Sequence, residues 1–288
     1  MYDVLFAPSR GKYAGGEKPK VSCLFCAIRD HDPRVWTREI YRDEGALVIM
    51  NIFPYSPGHI QVLPSRHVEE PEELSDDEFI HALDFVQRGI LLVKKVMKPD
   101  GLHLGVNLGK AGASIQHLHF QIVPRYKKAV EDDQERIHKW YLKNTDVFKK
   151  GTLRKKKKTR SCRCFSQQRY VFKKDPFVYL SPNPYNRGHV VISPAKHVTD
   201  IEELSPQEFL DLFKEVTKVK KSIERVYNPV GINIGVNIGE VPNSSNHLQI
   251  HVVPRYDPES GFMEVIGNTR VVVESLDQSF GKLIRYLS

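Results

Sequence analysis

The feature that most limits how this chain folds is that it contains itself twice. Residues 38 to 126 align without a gap on residues 168 to 256, at a constant offset of 130. Pro54-Tyr55 falls on Pro184-Tyr185, Gly58-His59 on Gly188-His189, and Pro64 and His67 on Pro194 and His197. Glu72-Glu73-Leu74-Ser75 matches Glu202-Glu203-Leu204-Ser205, and Gly105-Val106-Asn107 matches Gly235-Val236-Asn237. His117-Leu118 and Pro124-Arg125-Tyr126 match His247-Leu248 and Pro254-Arg255-Tyr256. Agreement this dense marks a fused duplication, and repeats of this kind have to be settled before local structure is assigned.

Each copy reads strand, strand, helix, strand, strand. In the first, Val48-Ile49-Met50 and Ile60 to Leu63 are short apolar runs bounded by Pro and Gly, as strands are. Phe79, Leu83, Val86, Ile90 and Val93 recur at helical spacing. Ser75 with Glu78 predicts a capping box at the start of that helix, and Ser205-Pro206-Gln207-Glu208 repeats it with Pro at the first helical position. Leu102 to Leu108 and His117 to Val123 read as strands. Alternation along the second puts Leu118, Phe120 and Ile122 on one face and His117, His119 and Gln121 on the other.

The net charge of +8 is local. Between Lys149 and Lys174 stand twelve Lys or Arg and no acid, leaving 31 basic against 35 acidic residues elsewhere. A basic face spread over the whole surface is thereby excluded. The block repels itself and reads as a solvated linker over 149–167, with an RNA or polyphosphate patch as the less favoured alternative. No run of about 18 apolar residues exists to span a bilayer, and Met1 to Lys20 lack the apolar segment of a secretory signal. The expected location is the cytoplasm, away from membranes.

Four cysteines are too few for a disulfide scaffold, and Cys23-Leu24-Phe25-Cys26 has the spacing of a metal knuckle. With two histidines the pair would close a tetrahedral zinc site of the structural kind. His59 is one candidate ligand, and free or buried thiols are the alternative. Cys162-Arg163-Cys164 has a different spacing, and Cys23 and Cys26 align on Leu153 and Lys156, so no second site is expected.

The segment Gln116 to Arg125 carries the chemistry, with Ser114 and Asn107 upstream. An imidazole on an exposed strand face can attack an electrophilic phosphorus and split one displacement into two. Ser114, Gln121 and the amides of the Gly109-Lys110-Ala111-Gly112 turn are candidate donors to the phosphoryl oxygens. Taken alone, His117 and His119 would be ordinary polar-face residues.

The whole segment, with Asn51 to His59 and Pro64 to His67, resembles the histidine-triad superfamily, whose signature is His-x-His-x-His or His-x-His-x-Gln. The resemblance covers nearly all of both halves. It implies an α+β fold of two tandem domains, each an antiparallel sheet with a long helix, arranged as an intramolecular pseudo-dimer in one monomeric chain. The implied divisions are a catalytic domain at 1–148, the linker at 149–167 and a degenerate domain at 168–288. Leu5 to Arg10 before the Cys pair, and Gly261 to Arg270 near the end, are similar to the diadenosine tetraphosphate phosphorylases. His-x-His-x-Gln resembles transferase branches such as galactose-1-phosphate uridylyltransferase.

Carried over by position, His119 is the nucleophile, Asn51 contacts the ribose, and Asn107, Ser114, Gln121 and His117 line the substrate. His67 and His117 join Cys23 and Cys26 around zinc. Gln249 occupies the nucleophile position of the second copy and Ser181 that of Asn51, so this copy is expected to be silent. The implied activity is nucleotidyl transfer from a dinucleoside polyphosphate or nucleotide sugar to phosphate or a sugar phosphate. Hydrolysis, and a non-catalytic nucleotide or RNA sensor, are the alternatives. The late segment would shape the pocket of the first copy.

Overall fold

The computed structural model describes residues 19–110, 115–149, 164–165, 168–240, 246–257 and 274–287. The first half supplies strands β1 (Arg38–Arg42), β2 (Ala46–Met50), β3 (Ile60–Pro64), β4 (Gly101–Gly109) and β5 (Phe120–Arg125). The second supplies β6 (Val171–Lys174), β7 (Phe177–Leu180), β8 (Val190–Ser193), β9 (Gly231–Gly239) and β10 (Ile250–Arg255). All ten join one antiparallel sheet in the order β1-β2-β3-β5-β4-β9-β10-β8-β7-β6.

The halves meet where β4 lies antiparallel to β9, with Gly101 opposite Gly239, Gly105 opposite Gly235 and Gly109 opposite Gly231. Gly105 thus pairs with its own duplicate, which puts a pseudo-twofold axis through the middle of the sheet. The seam closes tightly at its ends. A Cβ on Gly109, at φ +64°, would stand 3.1 Å from the Val230 carbonyl oxygen. One on Gly239, at φ +75°, would stand 2.9 Å from that of Asp100. Only glycine tolerates both the positive φ and the approach.

Helices α2 (Asp76–Met97) and α4 (Pro206–Tyr227) cover one face of the sheet and pack against each other. Each begins where the sequence places it. The Ser75 hydroxyl accepts from the Glu78 amide while the Glu78 carboxylate accepts from the Ser75 amide, and Ser205 with Glu208 repeats the exchange. The predicted stripe from Phe79 to Val93 is buried, together with Leu118, Phe120 and Ile122, in a core shared by both copies. Phe213 of α4 meets Phe79 and Phe120 edge-on, with centroids 5.4 and 5.9 Å apart. Shorter helices α1 (Leu24–Arg29), α3 (Gln134–Leu142) and α5 (Leu276–Leu287), with 3-10 turns at Pro71–Glu73, Thr145–Phe148 and Ile201–Glu203, complete the described elements.

Polar staples cross between the copies. The buried Gln87 donates from Nε2 to the carbonyls of Ile201 and Leu204 at 2.8 and 2.9 Å. Lys94 pairs with Asp200 and with Glu202, and Lys220 with Glu70 and Glu72 at 3.1 and 2.9 Å.

The structure departs from the expectation in three places. Each copy has a fifth strand, β1 or β6, at the sheet edge; each carries one bulged residue, Ile40 or Phe172, whose side chain is buried. A bulge breaks the alternation by which a strand is recognised, and it blunts an edge against further pairing. The strand expected from His117 starts only at Phe120, because the Leu118 amide turns aside to donate to the Val68 carbonyl. Phe165, inside the stretch assigned to the linker, is buried against Tyr179 and Val191 and belongs to the core of the second copy. Most of the basic block lies outside the described residues, as does the segment from Gly261 to Arg270. None of the described helices is long and apolar enough to cross a membrane.

Replacing Gln87 with Leu removes two buried hydrogen bonds at the junction of the copies, leaving the Ile201 carbonyl only the Leu204 amide as donor, and urea denaturation is expected to show a loss of about 1–3 kcal/mol. Arg66 at 2.8 Å and the Ser75 cap hold the Glu78 carboxyl down at about 2. A depressed carboxylate stabilises the fold fully above its ordinary value, and that contribution disappears as pH falls through the folded one. The stability gap between wild type and Glu78→Gln should therefore be open at pH 7 and close as the pH falls from about 4.5 to about 2, read as urea midpoints.

Candidate active site

Cys23 caps α1 and Cys26 sits in its first turn, so one helical turn brings both sulfurs to the same side. His67 follows the end of β3, and His117 stands just ahead of β5. The Cys26 Sγ is 3.4 Å from His67 Nδ1 and 3.7 Å from His117 Nδ1, and Cys23 Sγ is 3.5 Å from His117 Nδ1. A tetrahedral ion with bonds of about 2.3 Å to sulfur and about 2.05 Å to nitrogen sets S···N separations of about 3.6 Å. The four ligand atoms therefore already have the spacing such an ion requires, and all lie within 4.8 Å of one another.

The protonation pattern agrees. His117 donates from Nε2 to the Pro64 carbonyl at 3.0 Å, which leaves the lone pair on Nδ1, facing the sulfurs. Burial pushes its imidazole down to about 4, so it is neutral near pH 7, the form that ligates. Burial and the neighbouring Cys23 push the Cys26 thiol up to about 11, a penalty that a cation between the sulfurs would remove. His59 is not in this group: its Nδ1 accepts from the Tyr55 amide at 3.3 Å. His117 was also expected to line the substrate, but one ring nitrogen is on Pro64 and the other among the sulfurs. It has none left for a phosphate.

Two residues on, His119 is 6% exposed and approaches the His117 carbonyl with Nδ1 at 2.8 Å. A carbonyl only accepts, so Nδ1 carries the proton and Nε2 keeps the lone pair. Burial lowers the pKa of this imidazole against the opposing pull of the carbonyl, which keeps it neutral and nucleophilic. Phe25, between the two cysteines, meets the rings of His117 and His119 edge-on at 5.7 and 5.0 Å. The cysteine pair thus reaches His119 by packing. Phe25 is a site residue that its apolar character conceals in the sequence; its place between the cysteines is the available signal.

The remaining candidates fall on the sheet face opposite the long helices. Gln121 stands between Gln61 of β3 and Gly105 of β4, and Gln61 is a buried polar residue the sequence reading missed. Asn107 is two residues further along β4, past the last β4–β5 pair of Gly105 with Gln121 and at the end where the chain enters β5 from His119. Asn51 ends β2, and its Oδ1 accepts from the Phe53 amide at 2.9 Å. Ser114, Ala111 and Gly112 lie outside the described residues. The amide of Lys110 is not available as a phosphate donor, because it bonds the Val230 carbonyl of the second copy at 2.9 Å.

The second copy is a partial replica. His247 donates to Pro194 at 2.9 Å, as His117 does to Pro64, and meets His197 edge-on with centroids 5.0 Å apart, as His117 meets His67. Cys164 Sγ is 3.7 Å from His197 Nδ1, and with His247 the three form a second group of ligand-type atoms, which spacing arguments had excluded. Cys164 is disulfide-bonded in this structure, so its thiolate is not free to ligate. At the nucleophile position, Gln249 donates to the Tyr179 hydroxyl at 2.9 Å. Its carboxamide nitrogen has no basic lone pair with which to attack phosphorus.

A model of the HIT domain matches residues 32–128 and again 166–258. The chain belongs to the HIT domain family. Within the family it is 40% identical over 89 residues to AP-4-A phosphorylase of Mycobacterium tuberculosis, covering 30% of this chain and 46% of that protein. The chain therefore spans about half the length of that relative. An uncharacterized HIT-like protein of Methanocaldococcus jannaschii is 33% identical over 126 residues, 43% of this chain and 92% of its own. Among solved structures, ADP-glucose phosphorylase from Arabidopsis thaliana with bound ADP-glucose superposes with a TM-score of 0.66 at 17% identity, covering 98% of this chain and 94% of that one. A uridylyltransferase mutant gives 0.68 at 16% identity, with 99% and 94% covered. These two establish that the tandem HIT arrangement is shared as a fold.

Replacing Cys26 with Ser should strip bound metal from the purified protein, measured by plasma mass spectrometry. With free metal about 100-fold above its dissociation constant, the lost binding corresponds to about 3 kcal/mol of stability. Adding a chelator to the wild type should reproduce the shift, and should leave Cys26→Ser unmoved.

Proposed function

We propose that this HIT protein is a nucleotidyl-transferring enzyme, acting on dinucleoside polyphosphates by phosphorolysis or on nucleotide sugars, through a nucleotide carried covalently on His119. The observation that carries the reading is the hydrogen bond from Nδ1 of His119 to the His117 carbonyl at 2.8 Å. It fixes the tautomer whose Nε2 can attack, and burial keeps that nitrogen unprotonated.

In the first step Nε2 bonds to the α-phosphorus and the bridging P–O bond breaks, so the remainder of the substrate leaves with the electron pair. In the second, an acceptor oxygen bonds to the same phosphorus and the P–N bond breaks, restoring the imidazole. Asn107 and Gln121, with Ser114, are placed in this reading on the phosphoryl oxygens, and Asn51 at the ribose. Amide and hydroxyl donors aimed at those oxygens lower the barrier because charge grows there during transfer. The relative named AP-4-A phosphorylase supports phosphate as acceptor.

Zinc is the metal we assign to Cys23, Cys26, His67 and His117. Four protein ligands close its coordination shell, which suits a brace and leaves no position for substrate. Bound there, it would supply no group to the reaction; the four residues around it would hold the segment from His117 to His119 against α1. Residues 1–148 form the catalytic unit in this reading and 168–288 the silent one, and we expect the fused pair to act as a monomer.

Incubation with an α-labelled dinucleoside polyphosphate or nucleotide sugar should leave acid-labile label on the wild type and none on His119→Asn. Product analysis with and without inorganic phosphate then separates the acceptors. Release of a nucleoside diphosphate only when phosphate is present establishes phosphorolysis, and equal turnover without it establishes hydrolysis. Wild-type protein that binds nucleotide but never takes label is a sensor, and the enzymatic reading falls.

A further inference from the structure

Asn107 is not held by its own copy. Its Oδ1 is 2.7 Å from Nδ2 of Asn233, which faces it across the seam between β4 and β9. Asn233 in turn has Oδ1 2.5 Å from a terminal nitrogen of Arg255 on β10. The direction of this chain is fixed at its far end. A guanidinium only donates, so the Asn233 atom facing Arg255 is the oxygen; its nitrogen must then donate, and the Asn107 atom that receives it is the oxygen. The Asn107 amide is locked with its NH2 group turned away from the seam partner.

The pseudo-symmetric position uses the same device with a different residue. Asn237, the duplicate of Asn107, has Oδ1 2.7 Å from Nδ1 of His103, again across the seam. In both pairs the asparagine oxygen is the atom on the seam, met by His103 on one side and by Asn233 on the other. Position 103 and its duplicate 233 differ in residue, yet both present a donor.

We infer that Asn233 and Arg255 of the silent copy are positioning residues for the catalytic one, setting the Asn107 amide so that its NH2, and not its carbonyl, faces the phosphoryl group beside His119. This rests on the placement of Asn107 at the phosphates. A flipped amide would put a carbonyl oxygen against an anion, which is repulsive. Losing a hydrogen bond to a charged group costs roughly tenfold or more in affinity. The silent half is therefore part of the active site through one relay, independently of any ligand of its own.

The isosteric variant Asn233→Asp tests this. A carboxylate accepts from Arg255 but cannot donate to Asn107, so the Asn107 amide is forced to turn over. The expected result is a fall of about tenfold or more in the rate of His119 labelling and in ADP affinity measured by calorimetry, with the melting temperature unchanged. Asn233→His installs the donor that His103 provides in the other copy and should retain most of the wild-type rate. In a double-mutant cycle, Asn233→Asp should add little once Asn107 is Ala.

Wild-type labelling and ADP binding in Asn233→Asp would overturn the inference. So would equal losses in the Asp and His variants accompanied by a lower melting temperature, which would mark Asn233 as merely structural. If the wild type binds ADP but takes no label, the enzymatic reading fails while the ADP affinities still decide the role of Asn233. If it does not bind ADP at all, both fall together.

Discussion

The pairing of β4 with β9 is the constraint on which the rest of the molecule depends. Nine residue pairs run in register from Gly101 opposite Gly239 to Gly109 opposite Gly231. They turn two five-stranded sheets into one, and they bring the long helices of both copies over a common core. The same pairing decides which side chains meet on the other face of the sheet. Asn107 meets Asn233 and His103 meets Asn237 only because the seam has this register, and a slip of one residue would turn the two residues of one strand away from the two of the other.

From that frame the active-site geometry follows by short steps. β5 pairs with β4 and β3, so Gln121 is fixed between Gly105 and Gln61. Just before β5 the chain leaves the ladder, and there the Pro64 carbonyl, the two cysteines and Phe25 converge on His117 and His119. Burial lowers the pKa of both imidazoles and so favours their neutral forms. His117 and His119 are neighbours in sequence but face different partners, the cysteines and Pro64 for one and the His117 carbonyl for the other.

Much of this was legible in the sequence, and for identifiable reasons. The duplication, the capped helices and the apolar strands rest on local patterns that survive folding unchanged, as Ser75 with Glu78 illustrates. The Cys-x-x-Cys pair and His67 with His117 were legible as one group of ligand-type side chains, which the fold brings within 4.8 Å of one another. Edge strands β1 and β6 were hidden by their bulges at Ile40 and Phe172. The second-copy group at Cys164 was missed because its knuckle is displaced from the offset of 130 that governs everything after it. The relay through Asn233 could not be read at all, since it joins residues 126 positions apart in separate copies and depends on register across the seam.

Covalent fusion has a consequence for how such a surface can evolve. Where two identical chains associate about a twofold axis, every position meets its mate in both directions, and any change is made twice. In this chain the contact of 103 with 237 is His against Asn, while its mirror image, 233 with 107, is Asn against Asn. The linker has released the two halves from self-complementarity. One can carry His119 where the other carries Gln249, a difference that no symmetric pair of identical subunits can encode.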